Sequence, residues 1–120
     1  MLKLESTPKT ITLRFRAINV DTFEAIRRGV KKVETRAASK KYRHINPGDM
    51  IIFSCGKKKF KKSVKRIKIF KNISRMLKTY RVKDIMPKLK TSKELTASYY
   101  SYPKYREKIR KYGIIVLELK

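Results

Sequence analysis

Acid is scarce in this chain. Its 120 residues carry 9 Asp and Glu against 34 Lys and Arg, a formal charge of +25. Such a field destabilises the compact state through self-repulsion unless a polyanion offsets it, and nucleic acid is the commonest polyanion. An AT-rich coding sequence would raise Lys, which outnumbers Arg about two to one, but would not remove the acids. Cysteine is nearly missing as well. Cys55 stands alone, so no internal disulfide can form, and a reducing location (cytoplasmic or nuclear, not secreted) is expected. His44 is the only histidine. No metal-ligand spacing and no Cys–His nucleophile pair can be built, so no metal and no other cofactor is expected. No stretch of 18 apolar residues is available for a membrane span. The opening Met1-Leu2-Lys3-Leu4-Glu5 has neither an apolar signal core nor a lipidation motif, so no membrane partner is expected. P-loop, dinucleotide fingerprint and nucleophile elbow are all absent.

What remains is 41% hydrophobic, enough for one core in one domain spanning residues 1–120, with no internal repeat and no linker. Thr10 to Phe15 alternates, with Ile11, Leu13 and Phe15 on one side, and predicts a half-buried strand. Asp21-Thr22-Phe23-Glu24 reads as a capping box for a helix that ends in Arg27-Arg28-Gly29. Lys31 to Arg36 predicts a short strand, and Ser39 to Arg43 a basic loop. After the turn signal Asn46-Pro47-Gly48-Asp49, Met50 to Ser54 is apolar enough for a buried strand. Lys57 to Lys62 predicts a basic hairpin tip, and Ser63 to Phe70 a strand whose imperfect alternation suggests a bulge. Short helical pieces over Ile73 to Tyr80 and Val82 to Met86 stop at Pro87. Thr91-Ser92-Lys93-Glu94 is a second capping box, opening a tyrosine-bearing helix towards Pro103. A helical turn or two from Tyr105 to Tyr112 closes at Gly113, and Ile114 to Leu119 is a final strand expected to pair centrally and tie the chain ends together. The expected class is α+β: a small, partly closed β-barrel of about five to six strands, with helices after the first strand and before the last.

The helix end and second strand spell Gly29-Val30-Lys31-Lys32-Val33-Glu34-Thr35-Arg36, which fits G-x-K-x-x-E-x-R. About a dozen residues on, Gly48-Asp49-Met50-Ile51-Ile52-Phe53 gives G-D-x-I-x-F. In a regular strand Glu34 and Arg36 share a face, and Lys31 reaches them from the turn. A carboxylate beside cations can grip a base edge and a phosphate, or shift a pKa towards acid–base work. It can equally be an ion pair within the sheet with Lys31 solvated. The ordered pair of motifs resembles the ASCH family (activating signal cointegrator homology domain) of the PUA-like superfamily, over nearly the whole chain. The resemblance implies a PUA-like barrel with the motif lining a cleft between barrel and helices.

It also implies several functions. Some ASCH members are nucleic-acid-binding modules, others resemble ribonucleases, and a bacterial branch is an amidohydrolase acting on acetylcytidine through a Lys, a Thr and a later Glu. Lys31 matches that lysine. The threonine position holds Glu34, and the later glutamate should fall near Lys88-Leu89-Lys90, where there is none; the nearest carboxylate, Glu94, belongs to a capping box. Lys31 and Glu34 are therefore the catalytic candidates only if the protein is an enzyme. The main expectation is a nucleic-acid-binding protein, RNA before DNA. A hydrolase of nucleosides or RNA and a packaging protein without sequence preference are the alternatives.

The residues expected to touch nucleic acid are Lys31, Glu34 and Arg36, with Arg14 and Arg16 at the end of the first strand. Lys40, Lys41 and Arg43 flank the motif, and Lys57, Lys58, Lys59, Lys61 and Lys62 form the hairpin. Phe60 among those lysines is a stacking face or, on the plainer reading, a core residue. Of Tyr99, Tyr100, Tyr102 and Tyr105, helix packing accounts for most, with Tyr100 and Tyr102 expected near the cleft.

Overall fold

The structure is a computed structural model that describes residues 7–120. Five strands carry it: β1 (Thr10–Phe15), β2 (Val33–Ala37), β3 (Met50–Cys55), β4 (Lys58–Phe70) and β5 (Ile114–Leu119). They form one curled sheet in the order β1-β3-β4-β5-β2. The β1–β3 pair is parallel and the other three are antiparallel. A 3-10 turn (Ala17–Asn19) and α1 (Val20–Arg27) follow β1. The short α2 (Lys40–Arg43) follows β2. Between β4 and β5 lie α3 (Ile73–Met76), α4 (Val82–Ile85), α5 (Ser92–Tyr100) and α6 (Tyr105–Tyr112). The architecture is the α+β half-barrel expected. Among the described residues no helix is long and apolar enough to cross a membrane.

The sheet's two faces bury separate clusters. Inside the curl, Leu13, Ile51, Phe53, Val64, Ile115 and Leu117 meet Phe23 and Ile26 of α1. On the other face, Val33, Ala37, Ile114 and Val116 meet Ile73, Met76, Ile85, Leu95, Tyr99 and Ile109 from the four later helices. Strand β5 serves both clusters through its period of two. It lies between β4 and β2 as an interior strand, but it does not pair with β1, which forms the far edge. Gly113 brings the chain into β5 with φ of 81°, and a Cβ there would sit 2.4 Å from the Phe70 carbonyl oxygen, so only glycine fits.

Several local expectations need correction. Strand β2 starts at Val33, leaving Lys31 in the preceding turn. Residues 40–43 are a helix rather than a loop. The β3–β4 turn takes only Gly56 and Lys57, and Lys58, Lys59, Lys61 and Lys62 belong to the 13-residue β4 because each has a ladder partner on β3. Phe60 points inward, stacked on Phe53 with centroids 4.9 Å apart. The Asp21 capping box does not form. Asn19 is the N-cap of α1, Glu24 is held by Arg27 at 2.7 Å, and Asp21 pairs with Lys88. The Thr91–Glu94 capping box at α5 forms as expected, and the β4 bulge falls between Val64 and Arg66.

Candidate functional site

Because the barrel is open, β1 and β2 are both free edges of the sheet, and a cavity of about 290 Å³ lies between them. The two edges meet through side chains: the Arg36 guanidinium of β2 sits 5.5 Å from the Phe15 ring of β1. Arg14, Phe15 and Arg16 form one wall, Glu34, Thr35 and Arg36 the opposite one, and Tyr99, Tyr102 and Tyr105 come in from the helices.

The ladder explains the ionic wall. Glu34 lies opposite Leu117 and Arg36 opposite Ile115, both core residues inside the curl. Their inward positions would ordinarily be apolar, and a charge there needs partners. Glu34 Oε1 accepts a hydrogen bond from the Thr35 amide at 3.0 Å and lies 3.7 Å from Lys31 Nζ. Its Oε2 accepts from Arg36 Nη2 at 3.2 Å. Lys31, 1% exposed, also donates to the Ile85 carbonyl at the end of α4. One carboxylate thus lies between two cations, and all three groups are fixed from behind.

Burial dominates the electrostatics of Lys31. Desolvation pulls its ammonium below the ordinary lysine range, although Glu34 opposes the shift. For Arg36, burial works against the charge, but Glu34 and the neighbouring Tyr42 and Tyr105 hold its pKa above the ordinary value. Arg36 also lies over the Tyr42 ring at 5.8 Å, so its charge meets two aromatic rings, Phe15 and Tyr42. Burial pushes the phenols of Tyr99 and Tyr105 up, and both stay neutral at physiological pH. Tyr99 shares a hydrogen bond with the Thr35 hydroxyl, and Tyr105 accepts one from the Ala37 amide at 3.1 Å. Among the described residues no buried side-chain nitrogen or oxygen lacks a partner. Geometry like this does not have to reorganise when a ligand arrives.

Of the residues singled out in the sequence, Arg14, Arg16, Lys31, Glu34, Arg36 and Tyr102 line this cavity. Tyr100 does not. A helix turns about 100° per residue, so with Tyr99 facing inward Tyr100 faces out, against Arg106 and a shallow groove beside Ser92 and Thr96. Lys40 and Lys41 are exposed on α2, away from the cavity lining. Arg43 bolts α2 in place by donating to the carbonyls of Ala38 and Tyr112, each at 2.6 Å. Lys57, Lys58, Lys59, Lys61 and Lys62 are outside the cavity as well. Phe15, Asn19, Thr22, Thr35, Met86, Tyr99, Tyr105 and Lys108 line it without having been singled out for it. Thr35 lay inside the motif and Tyr99 and Tyr105 inside the tyrosine cluster, whereas nothing local marks Asn19 or Met86.

The partly closed barrel with a cleft at its seam matches the PUA-like superfamily, to which the ASCH domain belongs. A family model described as the ASCH domain matches residues 17–120, and the chain belongs to that family. Two solved structures share the fold at similar length. The hypothetical protein PH0355 is 30% identical with a TM-score of 0.78, the match covering 95% of this chain and 98% of that one. Protein PF0455 from Pyrococcus furiosus, solved by NMR, is 29% identical with a TM-score of 0.68, covering 95% and 96%. No curated protein matches the chain. Membership of the ASCH family suggests RNA binding or hydrolase-type chemistry.

Proposed function

We propose that this protein binds RNA by taking one unpaired base into the seam cavity while cations at its mouth hold the adjoining phosphates. The observation that carries the reading is the Glu34–Arg36 pair inside an aromatic-walled cavity whose rim bears Arg14, Arg16 and Lys108. A carboxylate accepts from a base amino or imino group, and a guanidinium donates to the neighbouring acceptor, as on any Watson–Crick edge. Phe15, Tyr102 and Tyr105 offer stacking faces. At about 290 Å³ the cavity is at the small end of ligand sites. It suits one base or nucleoside and excludes a duplex. The +25 charge supports a polymer over a free nucleoside, since each added phosphate contact strengthens binding.

The test is binding of single-stranded RNA, double-stranded RNA and duplex DNA at two salt concentrations. Neutralising roughly five to eight phosphates gives a log–log salt slope of about −3.5 to −6 on a single strand. The Lys31→Ala/Arg36→Ala double variant should lose that binding. A flat salt dependence sinks the reading, and equal affinity for duplex DNA and RNA, indifferent to the double variant, points to a packaging protein instead.

One observation favours a hydrolase: the desolvated Lys31 amine shares a cavity with the Thr35 hydroxyl. Against it, residues 88–90 supply no carboxylate, and Glu94 is occupied by the Lys90 and Thr91 amides at the cap of α5. Release of acetate from acetylcytidine, abolished by Lys31→Ala, would favour that reading.

A further inference from the structure

Ile18 is 85% exposed, the most exposed large hydrophobic residue among those described. It stands at the middle of the 3-10 turn, between Arg16 and Asn19, which both line the cavity. Packing does not account for it, because it belongs to neither hydrophobic cluster. Flexibility does not account for it either. The turn is closed by the Asn19 amide donating to the Arg16 carbonyl at 2.8 Å, and by the Val20 amide donating to the Ala17 carbonyl. It then runs straight into α1, which is anchored by Phe23 and Ile26 in the barrel cluster. A branched apolar side chain thus projects into solvent from a hydrogen-bonded turn at the lip of a cavity sized for one base. Arg14 and Arg16, both exposed, precede it on the chain and line the same cavity.

We infer that Ile18 is a wedge that lets the protein take its base out of stacked or paired RNA, rather than only from a free strand. A cavity with a buried ionic floor can accept a base only after it has left its neighbours, and the gap left in the stack must be filled. Proteins that unstack bases do this with rigid apolar side chains, isoleucine among them. Arg14 and Arg16 would hold the backbone on either side of the gap, which sets the partner as a polyanion rather than an apolar protein surface. This inference rests on the reading of the cavity as a base site.

The experiment uses two RNAs of one sequence, each carrying 2-aminopurine, whose fluorescence rises when it leaves the stack. One is a free single strand, and the other places the probe in a hairpin stem weakened by one mismatch. Wild-type protein should bind both and brighten the hairpin probe. Ile18→Ser should bind the single strand as wild type does but lose the hairpin brightening. Its hairpin affinity should fall roughly 15- to 60-fold, in line with losing two or three buried methylene equivalents. Ile18→Leu should restore both. A hairpin that stays dark with wild type, or brightens equally with Ile18→Ser, overturns the wedge while single-strand binding leaves the base site standing. Absence of single-strand binding removes the base site and the wedge with it. Since Ile18 touches neither core, folding of the variants is not in question.

Discussion

The two hydrophobic clusters are the same size, eleven buried side chains each, and differ in chemistry. The buried members of the barrel cluster are hydrocarbon with one thiol, and its two buried rings, Phe23 and Phe53, meet the half-buried Phe15 and Phe60 ring to ring, with Tyr42 and Tyr112 at its margin. The helix-side cluster includes Tyr80 and Tyr99, whose hydroxyls reach Glu118 and Thr35. The barrel side therefore holds its shape mainly by packing, with one weak thiol bond from Cys55 to the Arg16 carbonyl, and the helix side by packing plus stronger hydroxyl bonds. Strand β2 borders both. It turns Val33 and Ala37 to the helices, but puts Glu34 and Arg36 on the face where β5 puts Leu117 and Ile115. The site is a place where the barrel core has been replaced by charge, on an edge strand that also needs protection from pairing with another chain.

The contrast breaks first at the barrel. Phe53→Ala removes the ring against which both Phe15 and Phe60 pack, and should cost about 3–5 kcal/mol of stability in urea unfolding. A much smaller cost would mean that the barrel cluster is loosely packed and the distinction is unsound. Next comes the charged seam. Glu34→Gln leaves the buried Lys31 and Arg36 without a countercharge and should cost about 3 kcal/mol near neutral pH. This loss carries a pH signature that the Phe53 variant lacks. Lys31 has a folded pKa below its unfolded value of about 10.4, so between the two the unfolded chain binds the extra proton and stability rises with pH. Removing the carboxylate lowers the folded pKa further and widens that window downward. The Glu34→Gln deficit should therefore shrink as the pH rises and Lys31 gives up its proton in the folded state, while the Phe53→Ala deficit stays level.

A smaller effect separates two neighbouring tyrosines. Tyr102→Ala should weaken single-strand binding by about 1–3 kcal/mol, the usual loss of one stacking partner. Tyr100→Ala should leave it unchanged, since Tyr100 faces the groove beside α3. Equal losses would move the binding surface off the seam.

The order of strands and helices was legible in the sequence because the alternation in β1, the short apolar runs of β3 and β5, and the punctuation at Gly29, Pro47, Thr91 and Gly113 are local signals. So was the grouping of Lys31, Glu34 and Arg36 at the candidate site, since they sit within six residues of one another. Misreadings came where a local rule met a tertiary competitor. Asp21 fitted a capping box, but Lys88, distant in sequence, took its carboxylate. Tyr100 and Tyr99 look alike in sequence, and only the docking of α5 on Thr35 decides which turns inward. Asn19, Met86 and Ile18 owe their places to the curl of the sheet, which no window of residues encodes.

The smallest predicted effect tests how far the surface outside the seam takes part. Arg14, at the mouth, lies on β1 in register with Ser54 of β3, which in turn faces Lys59 of β4. Lys61 lies two residues further along the same exposed face. A strand leaving the cavity past Arg14 would cross these lysines, so the long β4 would act as a backbone track rather than as the tip of a finger. Lys61→Ala should leave stability within about 0.5 kcal/mol of wild type, because an exposed sheet lysine has little to lose. Binding should weaken by the same factor for every RNA sequence, and the salt slope should become shallower by about 0.7, the share of one phosphate on a single strand. An unchanged slope would confine the interface to the seam and leave the lysines of β4 as a solvated face, in which case most of the +25 charge serves long-range attraction rather than contact.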